Sequence, residues 1–125
     1  MDIEPGHVET AERTFTESDV RAFAELSRDR GDHHLERDEE GQLLVHGLLT
    51  ATLATEIGGR FTVLARQITY RFHRPVYAGE TIRCVVEFTT VEAREDGRTE
   101  VAVEATFTRE HDETVVVTGS FDGVV

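Results

Sequence analysis

The sequence has no lysine, no tryptophan, one cysteine and two prolines in 125 residues, and each shortage excludes something. A lone thiol, Cys84, rules out an internal disulfide, and its place in the alternating run Ile82, Cys84, Val86, Phe88 reads as strand packing. No apolar run approaches the roughly 20 residues that span a bilayer. The opening Met1-Asp2-Ile3-Glu4-Pro5 has neither the basic region nor the apolar stretch of a signal peptide. The expectation is a soluble, cytoplasmic protein with no membrane partner. Positive charge is scarce as well: 13 bases, all arginine, face 25 acids, for a net charge of −12. A polyanionic surface repels nucleic acid and anionic lipid alike, so neither is expected as a partner. The acidic, lysine-free composition is that expected of a halophilic protein, because concentrated salt screens self-repulsion, with a Debye length of about 3 Å at 1 M.

What is present fits one domain over residues 1–125, with 38% hydrophobic residues for a single core. Val8 to Phe15 is β-tolerant. Thr16 then offers a helix cap, with Asp19 three residues later, and Val20, Phe23, Ala24 and Leu26 fall on or near one face of the helix that follows. Arg28 to Gln42 is almost wholly polar and reads as a solvated loop. The run from Leu43 to Ile57 is apolar nearly all round, the pattern of a helix buried on most sides, with Gly58-Gly59 as its stop. From Phe61 the composition turns to β, with strands expected over about Phe61–His73, Thr81–Ala93, Arg98–Arg109 and a last one placing Val115, Val117, Gly119 and Phe121 on one face. Strand, helix, loop, buried helix and a four-strand meander together predict an α+β protein, an antiparallel sheet wrapped around a long buried helix, which is the outline of the hot-dog fold.

Candidate chemistry is confined to few places. His7, His73 and His111 are scattered without metal-ligand spacing, so no metal site is expected. No Gly-rich phosphate loop is present and nothing points to a redox cofactor, so the cofactor expectation is none. Arg30-Gly31-Asp32 spells an adhesion tripeptide without a context for it.

The segments Phe23-Ala24-Glu25-Leu26-Ser27-Arg28-Asp29, then His34, then Val45-His46-Gly47-Leu48-Leu49-Thr50-Ala51-Thr52-Leu53, then Phe72-His73-Arg74-Pro75-Val76-Tyr77-Ala78-Gly79-Glu80-Thr81 resemble the MaoC-like dehydratase and (R)-specific enoyl-CoA hydratase family. The resemblance extends from about Phe15 to Phe121. It implies addition of water to a trans-2-enoyl-CoA to give an (R)-3-hydroxyacyl-CoA, with Asp29 and His34 at the positions of the catalytic pair. A carboxylate and an imidazole suit that chemistry, since water must be activated and a proton exchanged at the α-carbon. His33 is the alternative imidazole if the register shifts by one. Backbone N–H groups around His46, Gly47 and Leu48 would bind the thioester oxygen at the positive end of the helix dipole, with Gly47 allowing close approach. Thr52 stands where the family has a small hydroxyl residue and would hydrogen-bond the Asp-bearing loop.

The chain also departs from the family pattern. The usual Gly before the catalytic Asp is Arg28, the usual Asn-Pro between Asp and His is Gly31-Asp32, and the stretch from His34 to His46 is short, as if a flap were trimmed. The alternatives to a hydratase are a hot-dog acyl-CoA thioesterase and a non-catalytic module that binds acyl thioesters. The expected partners are an acyl-CoA or acyl-carrier thioester and a second copy of the chain, as a homodimer or higher homo-oligomer, because one small sheet on one helix leaves a strand edge uncovered.

Overall fold

A computed structural model describes residues 1–125. The chain runs β1 (Val8–Thr14), α1 (Glu17–Ser27), α2 (Asp32–Leu35), α3 (Gly47–Arg60), β2 (Leu64–Phe72), β3 (Thr81–Ala93), β4 (Thr99–Arg109) and β5 (Thr114–Val124). The five strands form one antiparallel sheet in the order β1-β3-β4-β5-β2. This is the expected α+β arrangement, with α3 packed on the sheet.

Period-two alternation builds the core. Ile82, Cys84, Val86 and Phe88 of β3 and Val101, Val103, Ala105 and Phe107 of β4 are buried on one face, against Leu49, Leu53, Ala54 and Ile57 of α3. Burial pushes the Cys84 thiol up to about 12, which makes it an inert packing group. Truncating Leu53 at the centre of this contact would cost about 2–5 kcal/mol.

Several boundaries differ from the sequence reading, each for a local reason. The apolar run starting at Leu43 is not helical throughout. Leu43 to Val45 is extended and pairs with Val76 to Ala78, through Val45 N–H to the Val76 carbonyl (2.8 Å) and Ala78 N–H to the Leu43 carbonyl (2.9 Å). The helix starts only at Gly47, capped by His46. Nor do Gly58 and Gly59 stop it: α3 continues to Arg60, and Thr62, at φ 56°, takes the left-handed turn. Leu26 is 84% exposed, leaving Val20 and Ala24 as the buried stripe of α1, whose Thr16–Asp19 capping box forms as expected. On β5 the register slips opposite Phe107 and Thr108, so Val116 turns inward and Val115 outward. The carbonyl of Val116 then accepts from His73 N–H (2.8 Å) and Arg74 N–H (3.2 Å), which bends the chain after β2.

β2 is unlike the other strands. It bonds only to β5, its outer edge is free, and Leu64, Ile68 and Phe72 are all more than half exposed. It lies close on β5, because Gly119 and Gly123 leave room where a side chain would strike the Thr69 and Leu64 carbonyls. At the surface, nine of the 13 arginines are paired with acids.

Candidate active site

The polar stretch after α1 is built rather than merely solvated. Ser27 Oγ donates to the Phe23 carbonyl (2.7 Å) and accepts from Asp29 N–H (3.1 Å), so one hydroxyl ends the helix and starts the next turn. Arg28 between them sits at φ 63°, the left-handed conformation that glycine adopts without strain. The Asp29 carboxylate accepts from Gly31 N–H (3.3 Å), closing a tight turn into the single-turn helix α2, which the sequence reading left as loop. That turn of helix sends His34 inward and leaves His33 exposed; both rings line the cavity beside Asp29, and His34 is the one whose Nε2 faces the carboxylate.

His34 is 5% exposed. Its Nδ1–H donates to the Leu44 carbonyl (2.8 Å), which puts the lone pair on Nε2. Nε2 faces Asp29 Oδ2 at 3.7 Å, too long for a direct hydrogen bond and suited to one water bonded to both. Burial above all holds the imidazole below its ordinary value; the Leu44 carbonyl opposes the shift, the His46 and His33 rings add to it, and Asp29 opposes it. His34 is therefore neutral at pH 7 and able to accept a proton.

His46 completes the group. Its ring stacks on that of His34, 3.6 Å away and 15° from parallel, and its Nε2–H donates to the Asp29 carbonyl (2.9 Å). Asp29, His34 and His46 each offer a ligating atom within 4.8 Å of the others. Chelation would need both imidazole lone pairs to converge on one ion at about 2.1 Å, and stacked parallel rings direct them side by side instead.

α3 begins at this cluster. Its first intrahelical bond is Thr50 N–H to the His46 carbonyl (3.1 Å), so the N–H groups of Gly47, Leu48 and Leu49 have no acceptor within the helix. No acidic residue in the first turn offsets the positive end of the dipole. Asp29, His33, His34, His46, Gly47 and Leu48 all line one cavity of about 670 Å³, together with Phe72 and Val76.

Thr52 is a correction. Its hydroxyl donates to the Leu49 carbonyl of its own helix and does not line the cavity. Thr50 does, 1% exposed, with its hydroxyl lacking a protein partner, as does Nδ1 of His46. Helical periodicity held the signal, since Thr50 lies four residues from His46 on the same face. On the side of Gly47 where a Cβ would project, the nearest group is the Phe72 ring, whose atoms lie 2.6–3.1 Å from that position. Ser27 and Phe72 are cavity residues to which the sequence reading gave no role.

No family model matches the sequence. Over 96 residues the chain is 34% identical to a 3-hydroxybutyryl-CoA dehydratase of Methylorubrum extorquens, a match covering 69% of this chain. The chain spans 60% of the length of that curated relative. Among solved structures, the (R)-hydratase from A. caviae involved in PHA biosynthesis superposes with a TM-score of 0.84 at 25% identity, covering 97% of this chain and 96% of that one. An R-hydratase from Pseudomonas aeruginosa gives 0.83 at 22% identity, covering 98% and 81%. The sheet wrapped on its buried helix is thus the hot-dog fold of these hydratases, and the chain is similar to the MaoC-like dehydratases and (R)-hydratases.

Proposed function

We propose that the chain hydrates trans-2-enoyl thioesters to (R)-3-hydroxyacyl thioesters, and catalyses the reverse dehydration, with the acyl group carried on CoA or a carrier. The observation that carries this reading is that His34 Nε2 and Asp29 Oδ2, 3.7 Å apart, share one cavity with the unpartnered N–H end of α3. A water held by the pair loses a proton to it as its oxygen bonds to C3 of the substrate. The C2–C3 double bond opens toward the carbonyl, and the developing enolate oxygen is stabilised by the N–H groups of Gly47 and Leu48. One such donor is worth on the order of 3 kcal/mol in a transition state. The pair then returns the proton to C2, so one water is added and nothing else is consumed. His46 acts on Asp29 through the backbone carbonyl it holds and is a positioning residue.

Incubation with crotonyl-CoA tests the reading. Loss of enoyl absorbance without free thiol is the expected result. Thiol release would make the protein a thioesterase, and no change in either would make it a binding module.

The working unit in this reading is a homodimer or higher homo-oligomer, supported by the free edge and exposed apolar side chains of β2. Its compartment is a salt-rich cytoplasm, supported by the net charge of −12 and the absence of lysine.

A further inference from the structure

We propose that Phe72 is the specificity-determining residue of this cavity, and that its ring restricts the substrate to thioesters without a branch at C2. The inference deepens the hydratase reading and rests on the same placement of the thioester. Three atoms of the ring, Cε1, Cδ1 and Cζ, lie 2.6, 2.9 and 3.1 Å from the position of a Cβ on Gly47, so the ring stands directly against the first residue of α3. Phe72 is 52% exposed, closes the free-edged strand β2, and has Tyr70 as its aromatic neighbour at 6.3 Å between centroids.

A thioester oxygen bonded to Gly47 N–H at about 2.9 Å places the carbonyl carbon about one C=O bond beyond it, with C2 next. Both atoms then lie beside Gly47, next to the ring that stands against that residue. A hydrogen on C2 fits there, whereas a methyl must displace the ring or pull the oxygen off its donor. Atoms farther along the acyl chain leave this contact, so the restriction acts on branching at C2 and not on chain length. A single methylene misfit in an apolar pocket is worth roughly 10–200-fold in kcat/KM.

The test compares crotonyl-CoA with 2-methylcrotonyl-CoA in the wild type, Phe72→Ala and Phe72→Leu. Intrinsic reactivity of the two thioesters cancels between enzymes. Phe72→Ala is expected to narrow the kcat/KM ratio at least about tenfold, and Phe72→Leu, which keeps most of the volume, to stay near wild type. A ratio unchanged in Phe72→Ala, with both substrates slowed equally, would overturn the proposal and leave the hydratase reading standing. Calorimetric binding of the unreactive butyryl-CoA and 2-methylbutyryl-CoA separates the two ideas. A binding ratio that shifts in Phe72→Ala without any turnover upholds the wall and sinks the hydratase reading. Absence of binding for both thioesters sinks both.

Discussion

The rings of His34 and His46 lie 3.6 Å apart and almost parallel, each with one nitrogen bonded to a backbone carbonyl, of Leu44 and Asp29 respectively. His34 is buried, and the His46 ring stacked on it adds to the cost of charging it, so its protonation is disfavoured in the folded state. The sign of the linkage follows. Below the ordinary value of 6.5 the unfolded chain binds a proton at this position that the folded chain resists. The contribution to stability is full above that value and is lost as pH falls through the lower, folded one. Urea midpoints should therefore drop between pH 6.5 and the folded value more steeply for wild type than for His34→Gln. Equal slopes for the two proteins would sink this account.

Asp29→Asn keeps shape and loses the carboxylate, and His34→Ala removes the imidazole. Each should lower crotonyl-CoA turnover at least about a hundredfold. The double variant should be little worse than the poorer single one, because the two hold one water as a unit. His33→Ala, at a cavity residue that is exposed and whose ring makes no hydrogen bond to Asp29, should be mild; if it proved the most damaging of the three, the site would have been assigned in the wrong register.

Arg28 is a non-glycine residue at φ 63°. Left-handed backbone costs such a residue about 1–2 kcal/mol, and glycine gives back roughly 0.5–1 in chain entropy. Arg28→Gly should thus stabilise by about 0.5–1 kcal/mol, read as a higher urea midpoint at constant slope. A lower midpoint would mean that the Arg28 side chain carries a contact that outweighs its strain.

The free edge of β2 is expected to meet a second copy. Ile68→Glu places a charge in the middle of its exposed apolar row, between Leu64 and Phe72. Light scattering should give a dimer or larger assembly for wild type and a monomer for the variant. A wild-type monomer in molar salt would remove the oligomer from the proposal.

Salt should stabilise the protein. With 25 acids against 13 bases, general repulsion outweighs exposed ion pairs worth about 0–1 kcal/mol each. The melting temperature should rise from about 0.1 M to about 1 M salt as the Debye length shrinks from about 10 to about 3 Å. A falling melting temperature would show that the arginine pairs matter more than the net charge.

The sheet was legible in the sequence because its cause is local: the alternation of Ile82 to Phe88 and Val101 to Phe107 needs no knowledge of the rest of the chain. The α1 cap was legible for the same reason. The start of α3 was not, since Leu43 to Val45 are as apolar as the helix that follows and only pairing with Val76 to Ala78 makes them extended. Tertiary contact likewise decided that Thr50, not Thr52, meets the cavity and that Phe72, 25 residues beyond Gly47, covers it. Residue types and spacing identified Asp29 and His34 as a pair to examine, but the inward turn of α2 that separates His34 from His33 lay in a stretch whose polarity reads as loop.

The short extended segment Leu43–Val45 is fastened on every side. Leu44 receives the His34 ring and gives its N–H to the His33 carbonyl, while its neighbours are tied to Val76 and Ala78. The loop between Glu36 and Gln42 accordingly leaves and rejoins the fold at two fixed points. Lengthening it costs little more than loop closure, about 0.6 kcal/mol for each doubling. A longer loop could therefore be inserted there while the imidazole keeps its place and its tautomer, so what reaches the site and what happens in it can change independently.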